Sequence, residues 1–363
     1  MIIRDFDART VVLRKEDPTW KFALGASPVT AGVLLTLQTQ DGVVGYGYAS
    51  ATAHMGSIRS TLLAELEHLK SKVVGRDAGD IESILDSLDA SLRGAPQAKA
   101  AIDCALHDVV SRSLNQPLYR LFGGRYRESV PLLRILAIKA PGEMALQAQK
   151  LVDQGYHYLK IKVHGEVDED VARVRAIRKQ VGDNVHLTID ANQAYSAKSA
   201  ISALNKMADF NIDLAEQPVP AGDFEGLSLV TRSVPITIEA DEAAGSLDDI
   251  YRLVTTRACD AVSLKIPKLG GMRNTVTAAR ICEQGGVAYR FGAAVGPRLL
   301  ASFGMHLACA LRGVDYACEL AEFARLLDDE FSGLDVVDGR IDLPTGIGSG
   351  VVWNGPAPPA NQQ

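Results

Sequence analysis

The chain has 363 residues, 47% of them hydrophobic and 23% charged, with a formal net charge of −6 and a pI near 5.7. That length exceeds what one core usually organises, so a barrel-sized unit plus a smaller one is expected. The charge is mildly acidic and dispersed, which gives nucleic acid or an anionic membrane surface no footing, and no apolar run approaches the roughly 20 residues needed to cross a bilayer.

The first residues, MIIRDFDART, carry acids in place of the apolar core of a signal peptide, which points to a cytoplasmic protein. Two β-type runs follow, IIRDFDARTVVL and VLLTLQTQDGVVGYGYA, with a turn at Gln40-Asp41-Gly42 inside the second. The stretch between them, KEDPTWKFALGASP, is polar and long for a hairpin connection, so it reads as a functional loop. From about residue 56 to 122 the pattern is helical, as in AAIDCALHDVVSRSL, where apolar pairs recur every three to four residues. Asn115-Gln116-Pro117 and Gly123-Gly124 then mark a boundary.

Beyond residue 128 the texture changes and repeats. Apolar runs end near Ala137, Lys162, Asp190, Glu216, Asp241, Lys265, Phe291 and Glu319, every interval lying between 24 and 28 residues. That is one strand-plus-helix unit, and eight of them predict a closed β/α barrel. Helical stretches fill the gaps, with Ser or Asp near several starts and Gly near several ends. A doubly wound open sheet would alternate in the same way, but no GxGxxG follows the first strand. The five cysteines, Cys104, Cys259, Cys282, Cys309 and Cys318, are scattered and form no CxxC pair. They read as buried small hydrophobes in a reducing compartment.

Five consecutive strand ends carry charge in the order Lys162, Asp190, Glu216, Asp241, Lys265, with gaps of 28, 26, 25 and 24. Equivalent points of a parallel barrel ring a single mouth. Carboxylates converging there repel unless a cation lies between them, and hard oxygen donors in that number suit Mg²⁺, with Mn²⁺ as a substitute. A substrate carboxylate on such an ion can spread the charge left when its α-proton departs, which stabilises the enolate more than the ground state. The base must then be uncharged part of the time. A lysine beside a divalent ion and a second ammonium is expected to have its pKa pushed below about 10.4. Lys160 and Lys162, two apart on one strand, share a face and supply such a pair, while Lys265 would meet the substrate from the other side. Taken singly, a lysine pair on a strand reads as a solvated edge and an aspartate after a strand as a helix N-cap. The conjunction argues against that reading, because Glu216 runs into Gln217-Pro218 and a lysine cannot cap an N-terminus.

LKIK (159–162), IDANQAY (189–195), EQP (216–218), ADE (240–242), LKIPKLGG (264–271) and QPLYRLFGG (116–124) together resemble the enolase superfamily. The likeness is to its muconate cycloisomerase (mandelate racemase/muconate lactonizing enzyme) subgroup, which also contains dipeptide epimerases, N-acylamino acid racemases and o-succinylbenzoate synthases. It covers nearly the whole chain and is specific for the subgroup, not for a substrate. It implies a modified TIM barrel, (β/α)7β-like, with an N-terminal α+β capping domain. The expected boundaries are 1–125 for the cap, 126–320 for the barrel and 321–363 for a C-terminal segment, whose VDGRIDLPTGIGSG stretch reads as a turn-rich strand pair returning to the cap. Carried over, the likeness makes Asp190, Glu216 and Asp241 the Mg²⁺ ligands and Lys162 and Lys265 the acid/base pair. Lys160 and Asn192 take supporting roles, and cap loops around Trp20 and Phe22 and around His54 and Met55 choose the substrate. A homo-oligomer is implied as well.

Several positions depart from the family pattern. FGAAVGPRL places Gly296 where muconate cycloisomerases carry a glutamate, with Arg298 close by, so muconate itself is disfavoured. Glu319 matches a glutamate after the eighth strand and is a candidate substrate contact or a structural acid. Ala243 replaces a serine, and Tyr48 stands where relatives often hold glutamate. Glu239, at a usually neutral inward position, puts a negative charge near the metal or pairs a lysine. His164 reads as a loop histidine, and His107 and His306 as core or interface residues. Gly270-Gly271 either cradles an anion at a helix start or lets the loop pass close over the mouth.

The reading is a Mg²⁺-dependent isomerase that removes the proton α to the carboxylate of a small-molecule substrate. A racemase, epimerase or cycloisomerase acting on an amino-acid derivative fits two opposed lysines. A dehydratase of a hydroxy acid or hydroxyproline-like substrate, and an o-succinylbenzoate synthase-like enzyme, are the alternatives. An idle ligand-binding protein would not retain the ring, and a Schiff-base aldolase would need one lysine and no metal carboxylates.

Overall fold

Strands β1 (Ile3–Arg14), β2 (Val29–Thr39) and β3 (Val44–Ser50) form an antiparallel sheet in the order β1-β2-β3. The structure, a computed structural model, describes residues 1–22 and 25–355 and, within them, the side chains of all but residues 22, 25, 26 and 54. Gly42, at φ +88°, closes the turn predicted at Gln40-Asp41-Gly42, and its N–H donates to the Thr39 carbonyl at 3.0 Å. Alternation along β1 and β2 turns Ile3, Phe6, Val33, Leu35 and Leu37 to one face. Helices α1 (Arg59–Lys70), α2 (Ile81–Ser91) and α3 (Pro96–Ser113) cover that face with Leu62, Leu66, Ile84, Leu88, Ile102 and Leu106. The glycines of GYGYA permit this packing: a Cβ on Gly47 would stand 1.9 Å from the Ala101 carbonyl oxygen of α3.

Seven parallel strands follow in sequence order around the second unit: β4 (Leu133–Leu136), β5 (Tyr158–Lys162), β6 (His186–Asp190), β7 (Ile212–Glu216), β8 (Thr237–Ala240), β9 (Ala261–Leu264) and β10 (Ala288–Phe291). Their four- and five-residue runs are buried on both faces because helices wrap the outside. Those helices are α4 (Pro141–Asp153), α5 (Val167–Val181), α6 (Ala197–Met207), α7 (Phe224–Ser233), α8 (Leu247–Thr255), α9 (Met272–Gly285) and α10 (Arg298–Ala310). Local chemistry sets several of their ends. Ser246 accepts from the Asp249 N–H at 3.1 Å and Asp223 from the Gly226 N–H at 2.8 Å, and Gly286, at φ 66°, terminates α9.

The eighth stave, predicted as a strand ending near Glu319, is an irregular segment that nevertheless closes the barrel. On one side the Asp315 and Glu319 N–H groups donate to the Tyr289 and Phe291 carbonyls at 3.2 and 2.8 Å. On the other, Cys318 N–H donates to Pro131 O at 3.0 Å and Leu133 N–H to Cys318 O at 2.9 Å. The closure is therefore of the (β/α)7β kind, with an N-terminal α+β layer beside it.

The C-terminal segment differs from its predicted form. Arg340–Asp342 pairs with Ser129–Pro131 at the barrel entry, and Phe331–Ser332 pairs with Val352–Trp353, so pairing inside VDGRIDLPTGIGSG is limited to one antiparallel bridge between Val337 and Arg340. Its later residues do reach the cap layer, where Trp353 stacks on Tyr46 with centroids 5.7 Å apart. Asp108 of α3 makes the link polar. It accepts from Ser349 N–H at 2.7 Å, Tyr46 N–H at 3.0 Å and Arg112 Nε at 2.8 Å while fully buried. Asp108→Ala orphans two backbone donors and a guanidinium at once, so it is expected to lower the unfolding free energy by about 3 kcal/mol in urea titrations. A loss under about 1 kcal/mol would show the link to be incidental.

All five cysteines are buried free thiols. His306 is buried with Nε2 at 3.0 Å from Ser349 O, and burial pushes its pKa down to about 4. His107 sits in the core against Asp103 at 2.8 Å. Among the described residues no helix is long and apolar enough to cross a membrane.

Candidate active site

Lys162, Asp190 and Glu216 are the last residues of β5, β6 and β7 and lie in register, while Asp241 and Lys265 stand one residue beyond β8 and β9. Period-two alternation turns all five into the barrel mouth, and their tips converge. Lys160 Nζ lies 2.9 Å from Asp190, 2.5 Å from Glu216 and 2.6 Å from Glu319. Lys162 donates to Asp190 and, at 2.8 Å, to Asn192 Oδ1; Lys265 is 2.5 Å from Asp241. Lys160 lines the same cavity but is only 1% exposed, which makes it the most deeply set of the three amines.

The loops after these strands fold back through left-handed residues. Asn192 (φ 41°) accepts from Lys162 and passes the contact to Glu242 through Nδ2 at 3.1 Å. Gln217 (φ 38°) accepts the Asp241 and Ala243 N–H groups on Oε1 at 2.9 and 3.0 Å, which sets the direction of Asp241. Sequence reasoning passed over Gln217, although its place in EQP was a signal. It also passed over Lys268, which donates to the Asp241 carboxylate at 2.8 Å and to the Asp241 backbone carbonyl. Lys268 lies on the short turn Ile266–Leu269, whose i+3 spacing from Lys265 brings it back to the same aspartate.

Glu239 pairs an arginine and not a lysine. Arg290 Nε donates to its two oxygens at 2.9 and 3.1 Å, and Arg290 also reaches Glu216 at 2.6 Å and Glu319 at 2.5 Å. Glu319 is thus engaged by Lys160 and Arg290 on Oε1 and by the Ala293 N–H on Oε2 at 3.0 Å.

A cavity of about 420 Å³ opens over the ring. Its floor is Lys162, Lys265, Asp241, Glu242 and Glu319, and its roof comes from the N-terminal layer through Lys15, Trp20, Met55 and the small residues Ala31, Ala51 and Ala53. Trp20 is stacked under the Arg325 guanidinium at 4.3 Å. Phe22 and His54, also expected there, have side chains outside the described residues. Arg298 does not reach the cavity: it opens α10, and its guanidinium turns to Asp329 at 3.2 Å and the Leu334 carbonyl at 3.0 Å. Tyr48 and Gly296 answer to each other, since a Cβ on Gly296 would lie 2.8 Å from the Tyr48 ring. His164 is a loop residue beyond β5, 3.1 Å from Glu169. Gly271 (φ 131°) makes its close approach to the other layer: a Cβ there would sit 2.0 Å from Asp103 of α3, and the Arg273 N–H at the start of α9 donates to that carboxylate.

The charges of the chain itself act strongly on the ring. Burial pulls Lys265 down, but Asp241 and Glu216 outweigh it, so its pKa is raised; Lys160 is likewise raised by Asp190, Glu216 and Glu319 against its burial. Asp241 is held well below the usual carboxylate range, where Lys265 and Lys268 overcome the cost of burial. Glu216 goes the other way, raised by burial and by the neighbouring Asp190 charge. Among the described residues no three His, Cys, Asp or Glu side chains are spaced as a metal-holding group; the carboxylates contact the ammonium groups of Lys160 and Lys265. The donor set still suits a hard cation. It is all oxygen, Glu216 Oε1 and Glu242 Oε2 are buried without a partner, and Lys160, Lys162, Lys265, Lys268 and Arg290 leave one of six carboxylates (Asp190, Glu216, Glu239, Asp241, Glu242, Glu319) uncompensated.

A parallel barrel with acids and amines at the carboxyl ends of its strands, roofed by an α+β layer, is an enolase-type architecture. The chain belongs to the mandelate racemase / muconate lactonizing enzyme group of that superfamily, and it is an isomerase. The N-terminal profile of that group matches residues 8–123, and the profile described as enolase C-terminal domain-like matches residues 143–357. The chain is 35% identical to an L-Ala-D/L-Glu epimerase of Clostridium acetobutylicum over 86% of its own length and 88% of the relative's. It is 33% identical to an N-succinyl-L-Arg/Lys racemase of Bacillus cereus over 76% of each chain. The crystal structure of an Enterococcus faecalis dipeptide epimerase, complexed with Mg and the dipeptide L-Leu-L-Tyr, superposes with a TM-score of 0.93 at 32% identity, covering 97% of this chain and 99% of that one.

Proposed function

We propose that this isomerase is a Mg²⁺-dependent racemase or epimerase that inverts the carbon α to the carboxylate of an amino-acid derivative or dipeptide. The observation that carries the reading is the placement of Lys162 and Lys265. They rise into one cavity from β5 and from the end of β9, four staves apart, with carboxylates between them. The epimerase and racemase relatives support it. Asp190, Glu216 and Asp241 would hold the ion, which supplies Lewis-acid stabilisation of the charge that develops on the substrate carboxylate.

The chain's own residues do the rest. One lysine takes the α-proton on Nζ as the Cα–H electron pair moves toward the carboxylate, and the lysine on the other face returns a proton to the same carbon, which inverts it. Asn192 holds Lys162 by its side-chain oxygen, and Asp241 holds Lys265, so both amines are oriented before substrate arrives. The roof, with Trp20 and Met55, keeps water from the carbanionic carbon.

Incubation in D₂O with N-acylamino acids and dipeptides, followed by NMR, tests this. The expected result is α-deuteration with inversion and no loss of water. Elimination products would establish a dehydratase, and α-protons that never exchange across the panel would remove the proposal.

A further inference from the structure

Below the mouth, β7 and β8 place two carboxylates side by side, since Glu216 and Glu239 are register partners and both are buried. Like charges at that depth are destabilising unless a cation spans them. The spanning group is Arg290, two strands further round. Its Nη2 stands 2.6 Å from Oε2 of each glutamate, its Nε completes the pair with Glu239, and its Nη1 reaches Glu319. Arg290 can cross β9 because the inward positions there, counted back from Lys265, are Ser263 and Ala261.

The result for Glu216 is asymmetric. Its Oε2 is held twice, by Arg290 and by Lys160 at 2.5 Å, while its Oε1 is buried and has no hydrogen-bond partner. We infer that Arg290, braced by Glu239, is a positioning residue: it pins one oxygen of Glu216 so that the other is presented, desolvated, to a divalent cation. The inference rests on the reading of the carboxylate ring as a Mg²⁺ site. Arg290 does not line the cavity, so it acts through Glu216 and Glu319.

The alternative, a guanidinium that matters only as a positive charge, predicts the opposite sign. Removing a positive charge beside the ring would tighten Mg²⁺ binding, whereas removing the group that orients Glu216 weakens it. Calorimetric titration of Mg²⁺ alone into the substrate-free wild type and Arg290→Gln separates the two. The expected result is a Kd at least ~10-fold higher in the variant, the usual scale for a residue that orients a ligand. Its kcat should recover as Mg²⁺ is raised, which damage to the fold alone would not allow. Should Arg290→Gln fail to fold, Arg290→Lys keeps the charge but loses the planar fork, and is expected to weaken Mg²⁺ by a smaller factor. Unchanged or tighter binding in the variant that folds overturns the inference and leaves the cation site standing. Failure of the wild type to bind Mg²⁺ overturns the cation site itself, and this inference with it.

Discussion

Lys265→Ala and Lys162→Ala are each expected to lower racemisation by about 10³- to 10⁴-fold, or about 4 to 5.5 kcal/mol of barrier. In the proposed reaction each amine serves a different face of the same carbon, so neither can replace the other. The two variants should nevertheless differ from a protein that has lost its site. With one lysine left, α-deuterium exchange should persist for the antipode whose proton that lysine takes, and vanish for its mirror image. The remaining antipode should be opposite in the two variants. Rates of inversion and of exchange, measured separately on each enantiomer, check this. Symmetric loss of exchange in both variants, or inversion retained above about 1% of wild type in either, would refute a two-base site.

Stripping divalent ions is expected to have an effect of the same order. With one of the six buried carboxylates left uncompensated by the five cations, the substrate's own carboxylate would enter a site that already carries excess negative charge. Treatment with a chelator should cut turnover by about 10³-fold or more, and Mg²⁺ or Mn²⁺ should restore it. An ion present at about 1,000 times its Kd should also stabilise the fold by about 4 kcal/mol, read as a rise in Tm. Full activity after exhaustive chelation would return the ring to a purely structural role.

The ring was legible in the sequence because each member falls at a strand end or one residue past it in a repeating unit, and a steady beat of 24 to 28 residues converts directly into angular position around a barrel. Trp20 and Met55 came from the family likeness, which implies that loops of the N-terminal layer lie over the barrel mouth. Arg290 was not legible. It sits in AYRF, a strand like its neighbours, and its partners are 51, 74 and 29 residues away, so no local pattern links them. Glu239 stood out as an anomaly, but its counter-charge, Arg290, emerges only from the fold. Arg298 misled because nearness in sequence to a mouth loop says nothing about which way the first residue of a helix turns, and Asp329 turns it outward.

The stretch from Gly348 to Trp353 lies against the first layer. Gly348 accepts from Leu118 N–H at 2.9 Å, Ser349 is tied to Asp108, and Trp353 rests on Tyr46. Grafting a roof from one relative onto the barrel of another, to transplant a substrate preference, therefore needs two breakpoints. The donor must contribute its stretch equivalent to residues 345–353 along with everything before residue 125, or the chimera will carry a mismatched seam at the far end of its sequence.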